Sequence, residues 1–562
     1  MAGGATAWVE SILSKMTLEQ KLAGIQCAGV DGKYTAEKSP ALQTAIDLAR
    51  RGIGLFVIYG GTPRDIAYLT NRLQKEARVP LIFTSDFENG PGQQIAGASE
   101  IPANMALAAT GSEELVRRAT AMAAGEGRVC GIHGTYSPVA DTTWDPENPS
   151  ESVRSMGGDL KLIERMIGAY VDGYHKGTGK YKMFCVSKHF PGRGDTKQVP
   201  GDPDWACIEK SADVVMKQDI GAFAIPIAAG VKGIMTEHVA VKSLCGGKYV
   251  PASVSPDLVT GVLKGKLGFK GIVWSDDLWY PNITERYGAE GVALLSLQAG
   301  HDVILKAKDP IATVAYLAKA VKSGKITEER IDESLRKILA LKYWLGLNDD
   351  KNRYADLDAL GKFCGTPENA AIVQEVADRS ITMLKNDKVL PLGAKVLKDA
   401  KIVNISIERF SSDPAPMDLA WQIASAFPGT RTYHLRPDMA DAFYKQVAQA
   451  AADADLVFLS FFVPRARAGD AAPLRKKDIA LIQKIVAEKP KRVIAMSHGN
   501  PHLIRKLPEL PTFLVGWGEG GWCGPREPFF RSFIKVVKGE LKPTGKLPLK
   551  VSDKYPIGFG LK

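Results

Sequence analysis

The chain has 562 residues, of which 45% are hydrophobic and 24% are charged, and its formal net charge is +11. This length predicts two to four domains, and the composition is typical of a globular protein with large apolar cores. Lysine and arginine are scattered along the chain, with Arg475–Lys477 as the longest run. The charge therefore predicts a mildly basic surface, and nucleic-acid binding is the weaker interpretation.

The seven cysteines are odd in number and show no CxxC or Cys/His spacing of a zinc site. Most lie in apolar stretches, which predicts buried free thiols and favours a reducing compartment. The first twenty residues contain no apolar signal segment, and no stretch reaches the length of a membrane helix. We expect no membrane association and a cytoplasmic location, or a periplasmic or secreted one if a signal peptide has been removed.

The first 350 residues alternate between apolar strand-like segments and amphipathic stretches. Trp8 to Gln26 has helical apolar spacing. Eight segments have the apolar character of buried strands: Ala23–Val30, Ile53–Tyr59, Pro80–Asp86, Cys130–Asp141, Met183–His189, Val231–His238, Lys270–Asp276 and His301–Leu305. The intervening helical stretches are Asp65–Ala77, Ser112–Gly125, Asp159–His175, Ser211–Ala229 and Pro310–Gly324. This alternation predicts an α/β fold, a (β/α)8 TIM-type barrel.

A doubly wound open sheet is the alternative fold. Neither GxGxxG nor GxxxxGK[ST] follows any of the predicted strands, so a nucleotide-binding sheet lacks its signature. Ile326–Trp344 is strongly amphipathic and predicts the last helix of the barrel, which we assign to residues 1–348.

A polar, loop-like stretch over residues 349–367 predicts a linker to a second domain over residues 368–562. Its predicted strands are Ile402–Ser406, Leu456–Phe462, Val493–Ser497 and Thr512–Val515, and its predicted helices are Asp418–Ala426, Ala440–Ala452 and Lys477–Glu488. Strands and helices alternate again, which predicts a smaller α/β sandwich domain.

Polar side chains collect where the predicted barrel strands end. They are Asp86, Asp141, Lys188 with His189, Glu237 with His238, and Asp276 with Asp277, after strands three to seven. Any one of them has the ordinary interpretation of a cap for the following helix. Because the carboxyl ends of barrel strands meet at one mouth, five such ends together predict a catalytic site there.

Several motifs, in order and at sensible spacing, resemble glycoside hydrolase family 3 nearly from end to end. They are Met16–Lys21, Ser137–Asp141, Arg154–Gly157, Lys188–Gly192, Gly268–Leu278, Leu384–Asn386 with Leu390–Leu392, Pro543–Pro548 and Tyr555–Gly560. The resemblance implies a retaining exo-β-glycosidase that removes a β-linked sugar from a non-reducing end. Such an enzyme needs one carboxylate as nucleophile and a second group as acid/base, but no metal and no cofactor.

The resemblance also implies roles for individual residues. Asp276 matches the nucleophile, with Asp277 in a supporting role. Asp86, Arg154, Lys188 and His189 match residues that bind the sugar, and the cations among them favour the charged form of Asp276. His238 and Trp279 complete the substrate-binding candidates; Trp144 and Trp205 are further candidates for stacking on a sugar, with packing aromatics as the alternative for all three tryptophans.

The usual acid/base of the family is missing. Arg193 replaces the histidine that follows KHFPG in the N-acetylglucosaminidase branch, and residues 195–205 contain no His for its Asp/His dyad. The glucosidase branch takes a Glu from the second domain, yet Val463–Asp470 contains none. Asp204 is our first candidate for the replacement, with Asp202 and Glu237 as rivals.

Four functions remain open. The first is a β-glucosidase-like hydrolase acting on a small oligosaccharide or glycoside, and the second is a β-N-acetylhexosaminidase without the usual dyad. A catalytically impaired sugar-binding protein on the same scaffold is the alternative from another class, and a phosphorolytic or transglycosylating enzyme is a further one. We expect no nucleic-acid or membrane partner, and the sequence does not give the oligomeric state.

Overall fold

The computed structural model describes residues 2–34, 36–143, 151–194, 196, 206–463 and 474–562. Contacts divide the chain into two compact units. The first contains residues 1–99, 116–142 and 167–369, and the second contains residues 100–115, 143–166 and 370–562. Two segments from the first half of the sequence thus pack with the second unit, while the domain boundaries drawn from the sequence stay a prediction.

The first unit contains an eight-stranded parallel sheet. Its strands are β1 (Gln26–Asp31), β2 (Leu55–Tyr59), β3 (Ile82–Ser85), β4 (Gly134–Thr135), β5 (Phe184–Phe190), β6 (Gly233–Thr236), β7 (Ile272–Trp274) and β8 (Ile304–Leu305). Each strand pairs with the next along the chain from β1 to β7, and β8 pairs with β1. A single parallel bridge between Trp274 and Val303 joins β7 to the segment before β8. The (β/α)8 barrel prediction is confirmed, and each predicted strand segment overlaps one of the eight strands.

Helices alternate with these strands. They are α1 (Ala2–Leu13), α2 (Leu18–Gly24), α3 (Pro40–Arg50), α4 (Pro63–Glu76), α5 (Asn104–Ala109), α6 (Glu113–Val129), α7 (Leu160–Lys176), α8 (Ala212–Lys217), α9 (Ala224–Ala228), α10 (Pro281–Tyr287), α11 (Gly291–Ala299), α12 (Pro310–Lys322) and α13 (Glu328–Trp344), with a π-helix at Asp257–Lys266. Inside the barrel, the rings of Tyr136 and Trp274 pack edge to face at 5.5 Å, so the interior is filled by side chains.

The sequence predicts one amino-terminal helix, and the structure has two helices there. Helix α1 ends at Leu13, and α2 begins at Leu18 behind a capping box. The Thr17 side chain accepts from the Gln20 N–H, and the Gln20 side chain accepts from the Thr17 N–H. These bonds satisfy amide donors that a helix start leaves open, which explains the break. The Ser211–Ala229 stretch likewise divides into α8 and α9.

The second unit contains a six-stranded sheet. Its strands are β9 (Thr382–Asn386), β10 (Ile402–Glu408), β11 (Arg431–Leu435), β12 (Leu456–Phe462), β13 (Val493–His498) and β14 (Thr512–Gly516), in the order β9-β14-β13-β12-β10-β11. Only β9 runs antiparallel to its neighbour among these strands. The predicted smaller α/β domain is confirmed, although its two edge strands, β9 and β11, were not among the predicted strands.

The remaining helices are short in the predicted linker and longer beyond it. They are α14 (Asp350–Arg353), α15 (Leu360–Phe363), α16 (Pro367–Ser380), α17 (Ala394–Asp399), α18 (Ala415–Ala426), α19 (Asp441–Asp453), α20 (Lys476–Glu488) and α21 (Glu527–Lys538). Among the described residues, none of the helices combines the length and the apolar character that crossing a bilayer requires.

Candidate active site

The carboxyl ends of the barrel strands carry the acids that the sequence singled out. Asp276 stands two residues after β7, and Ser275 between them accepts the Leu305 N–H at 2.9 Å, which ties this turn to β8. Asp276 is half-buried, and its Oδ1 accepts the N–H of Asp277 at 2.6 Å. Oδ2 is free of this contact, so the carboxylate presents an oxygen at the mouth.

Glu237 follows β6, the strand next to β7. Its backbone N–H donates to the Phe190 carbonyl at 2.8 Å, and its Oε1 accepts the His238 N–H at 2.7 Å. Its other oxygen, Oε2, is buried and lies 3.4 Å from Nη1 of Arg193. Three polar atoms lie within 4.8 Å of one another: a carboxylate oxygen of Glu237, a carboxylate oxygen of Asp276 and a ring nitrogen of His189. Two carboxylates therefore face each other at the mouth on neighbouring strands.

The short distance between these carboxylates changes the titration of Asp276. Burial raises its pKa to about 6, with the negative charge of Glu237 as the second cause. His238 and Lys188 act in the opposite direction but do not outweigh these two effects. Of the cations that the sequence motifs predicted to favour the charged form, Lys188 acts in that direction, but the net shift of the pKa is upward. With a pKa of about 6, Asp276 is mostly ionised at pH 7.

Lys188 joins two buried carboxylates. Its Nζ lies 2.8 Å from Oδ1 of Asp86, which follows β3, and 2.6 Å from Oε1 of Glu88. Burial raises the pKa of Asp86, and the Lys188 charge offsets part of that rise. Glu88 was missed in the sequence because it follows the end of the strand and belongs to none of the recognised motifs.

His189 is oriented by Asp141. Oδ2 of Asp141 lies 2.7 Å from Nδ1 of His189 and accepts the His189 backbone N–H at 3.1 Å, while Oδ1 accepts the Arg193 backbone N–H at 2.8 Å. Because a carboxylate only accepts, the Nδ1 atom carries the proton in this contact. Asp141 was noticed in the sequence as a strand-end acid, and the structure gives it this positioning contact.

His238 uses both ring nitrogens within the protein. Nε2 lies 3.0 Å from the Asp277 carbonyl oxygen, and Nδ1 lies 2.5 Å from Oγ of Ser253. Since a carbonyl cannot donate, Nε2 carries a proton. The ring therefore holds the backbone after Asp276, and its role in binding substrate stays a prediction.

Trp279 stands at the mouth with 44% of its surface exposed. Its Nε1 donates to Oδ2 of Asp277 at 3.1 Å, and the same oxygen accepts from Nζ of Lys306 at 2.7 Å. Tyr280 stacks on the Trp279 ring at 5.0 Å. Lys306 has a left-handed backbone with a φ of 48°, a conformation that non-glycine residues rarely adopt. Lys306 thus holds the Asp277–Trp279 pair in place, a contact that no sequence motif indicated.

Four of the predicted residues, Asp202, Asp204, Trp144 and Trp205, lie outside the described residues. Arg154 belongs to the second unit, where its carbonyl accepts from Nδ2 of Asn104 at 2.8 Å and its Nη1 lies 3.5 Å from Oε1 of Glu151. Its role in binding sugar stays a prediction.

The His189, Glu237 and Asp276 atoms have the chemistry and spacing of a divalent-cation site. The acids at the mouth already have basic partners, since Lys188 contacts Asp86, Arg193 lies beside Glu237, and Lys306 contacts Asp277. That the site needs no metal and no cofactor stays a prediction, and these ion pairs are the electrostatic reason for it.

Comparison with known proteins gives the family. Residues 47–341 match the glycosyl hydrolase family 3 N terminal domain, and residues 381–556 match the glycosyl hydrolase family 3 C-terminal domain. The chain belongs to glycosyl hydrolase family 3. It is a glycoside hydrolase, as the sequence motifs predicted.

The names of relatives of this family 3 chain refer to different sugar substrates. It is 29% identical over 401 residues to a β-N-acetylglucosaminidase/β-glucosidase of Cellulomonas fimi, an alignment that covers 69% of this chain and 68% of the relative. It is 26% identical over 584 residues to β-glucosidase C of Emericella nidulans, covering 96% and 86%. The structure of a family 3 β-N-acetylglucosaminidase from Paenibacillus sp. str. FPU-7 superposes with a TM-score of 0.80 at 26% identity, covering 96% of this chain and 99% of that one.

Proposed function

We propose that this chain is a retaining exo-β-glycosidase that hydrolyses a terminal β-linked sugar through a glycosyl-enzyme intermediate on Asp276. The observation that carries the proposal is the pair of facing carboxylates, Asp276 and Glu237, with oxygens within 4.8 Å of each other. Retaining glycosidases hold their two carboxyl groups about 5–5.5 Å apart, whereas inverting enzymes need about 6.5–9.5 Å to admit a water.

In this proposal, Glu237 takes the acid/base role in place of our first candidate, Asp204. Asp276 attacks the anomeric carbon as the bond to the leaving oxygen breaks, and protonated Glu237 gives its proton to that oxygen. Glu237 then takes a proton from water, which attacks the anomeric carbon and releases Asp276. Glu237 is buried beside the nucleophile, and its Oε2 accepts no hydrogen bond from the described residues, so this oxygen can approach the leaving oxygen of a bound glycoside.

Asp86, Lys188 and His189 are assigned to the sugar hydroxyl groups. Lys188 holds Asp86 at 2.8 Å, and Asp141 holds His189 at 2.7 Å, so these donors and acceptors are fixed before the sugar arrives. Preorganised polar groups of this kind stabilise a transition state without reorganising during the reaction. Trp279 is assigned to stacking on the substrate just outside the carboxylate pair.

A glucose-like sugar is the first candidate substrate and N-acetylglucosamine the second. The relatives' names include both sugars, so they do not separate the two. The missing Asp/His dyad favours glucose. Trapping with 2-deoxy-2-fluoro β-glucosides and β-xylosides, alongside a 5-fluoro N-acetylglucosaminide, would report the sugar, and peptide mapping would report the nucleophile. We expect the label on Asp276, and a label on any other residue would contradict the proposal.

The acid/base role is tested by comparing leaving groups. We expect Glu237→Gln to lower kcat/KM on a natural disaccharide by about 10²–10⁴-fold, with a far smaller loss on a dinitrophenyl glycoside, because that leaving group needs no proton. Asp202→Asn and Asp204→Asn are the matched controls. If Asp204→Asn shows this leaving-group pattern and Glu237→Gln does not, the acid is Asp204.

The sugar-binding alternative has its own signature. A protein of that class would bind glucose or N-acetylglucosamine tightly by calorimetry and turn over none of a panel of nitrophenyl β-glycosides. Turnover of any of them excludes this class. Adding inorganic phosphate and following glycosyl phosphate formation separates hydrolysis from phosphorolysis.

A further inference from the structure

A cavity lies at the opposite end of the barrel from Asp276. Its volume is about 320 Å³, near the lower limit of small-molecule sites. It lies where strands β2 and β3 begin, next to Ile53 and Leu81, and is enclosed by α1, α2, the end of α3 and helix α13. The apolar part of its wall comes from Ile12, Met16, Ile53, Leu81, Leu335 and Leu339.

One buried lysine, Lys342, is among the residues that line this cavity. Lys342 of α13 is 2% exposed, and its Nζ forms a hydrogen bond of 3.4 Å to the Gly54 carbonyl. That carbonyl already accepts the Ile82 N–H at 3.2 Å. An ammonium has three donors, so this single long contact leaves most of its capacity unused. Burial lowers the pKa of Lys342 to about 7, with the charge of Arg353 as the second cause.

The rest of the lining is positive and contains no acid. Lys15, Arg50, Arg51 and Arg78 are the other charged lining residues. Arg50 pairs with Glu76, and Arg51 pairs with Asp47. Lys15 and Arg78 form no ion pair with any residue that the structure describes. Lys342 is the buried charge among the lining residues, and no acid in the lining balances it. Because a buried charge without a counterion is unfavourable, the cavity favours an incoming anion.

We propose that this cavity is a binding site for an organic carboxylate with an apolar body, whose head group pairs with Lys342 and whose body lies against the apolar wall. A carboxylate supplies the acceptor that the Lys342 ammonium lacks, in a charge-assisted hydrogen bond. The apolar wall excludes a fully hydrated inorganic anion as the preferred ligand, because such an ion buries no apolar surface. The exposed cations at the rim attract anions to the entrance. This site is independent of the proposed function.

Octanoate is the probe, and two ligands serve as its controls. Octanol keeps the apolar chain without the charge, and acetate keeps the charge without the chain. In calorimetry with the full chain, we expect saturable octanoate binding with one site per chain, and at least tenfold weaker binding of either control. Bound octanoate also raises the melting temperature in a concentration-dependent way, because it binds only the folded state.

Variants locate the ligand. We expect Lys342→Met, which keeps the shape of the side chain, to weaken octanoate binding at least tenfold, while Lys322→Met on the exposed surface leaves it unchanged. If Lys342→Met does not fold, the double variant Lys15→Ala/Arg78→Ala replaces it, because both residues are exposed and the core stays intact. We expect this double variant to weaken octanoate binding severalfold and to reduce the salt dependence of binding. Three results overturn the proposal: no saturable binding of octanoate, octanol binding as tightly as octanoate, or folded charge variants that bind as wild type does.

Discussion

At the scale of single residues, the charge on Asp276 depends on the carboxylate beside it. A nucleophile must be ionised, and burial together with Glu237 raises the pKa of Asp276 to about 6. We expect kcat/KM for an activated aryl glycoside to fall about tenfold per pH unit below about pH 6. Glu237→Gln removes the carboxylate whose charge is the second cause of the raised pKa of Asp276, so the acidic limb should move to lower pH. An unchanged limb in this variant would show that the two carboxylates are not coupled.

The position of the Trp279 ring depends on its hydrogen bond to Asp277, which Lys306 holds in place. We expect Lys306→Met to release the Asp277–Trp279 contact and to raise KM for oligosaccharides about tenfold, with a smaller change in kcat, because the bond-breaking groups remain in place. Lys308→Met, an exposed neighbour, is the matched control. Equal effects of the two variants on KM, measured by initial rates, would remove Lys306 from substrate positioning.

The sequence predicted part of this site and missed part of it. The sequence could indicate that Asp86, Lys188, His189 and Asp276 lie near one another because they stand at the ends of buried strands, and strand ends converge at a barrel mouth. Glu88, Lys306 and the partner role of Arg193 depend on which side chains meet across the mouth. Sequence spacing along one chain carries no such information.

At the scale of elements, the Thr17 capping box separates α1 from α2. We expect Thr17→Ala to destabilise the protein by about 1 kcal/mol, since one helical amide loses its acceptor. The melting temperature should fall by about 2 °C. Thr17→Ser keeps the hydroxyl and should behave as wild type in the same thermal scan. A Thr17→Ala variant that melts with wild type would mean that tertiary packing alone fixes the start of α2.

Buried strands were predictable, and edge strands were not. The eight barrel segments are runs of apolar residues because a parallel sheet inside a shell of helices is covered on both faces. Strand β11 has one buried residue, Leu435, and β9 ends in Lys385 and Asn386, which are half-buried. An edge strand that is half in solvent has no continuous apolar run, so the sequence pattern could not reveal these two.

At the scale of the whole molecule, the acids at the barrel mouth are matched by the chain's own cations. We expect dialysis against EDTA to change neither the turnover of an aryl glycoside nor the melting temperature, because Lys188, Arg193 and Lys306 already stand beside Asp86, Glu237 and Asp277. A control dialysis without chelator measures losses from handling. Loss of activity that Mg²⁺, Ca²⁺ or Zn²⁺ restores would place an ion among His189, Glu237 and Asp276.

The Lys188 contact has a mechanical consequence. Strand β4 consists of Gly134–Thr135 only. Its ladders therefore contain two residue pairs with β3 and two with β5. Lys188, on β5, reaches over this short strand to Asp86 and Glu88 beyond β3. Pulling β3 and β5 apart therefore requires separating a buried ammonium from two carboxylates as well as breaking the ladders. The contact that positions Asp86 therefore also resists widening of the barrel at this short strand.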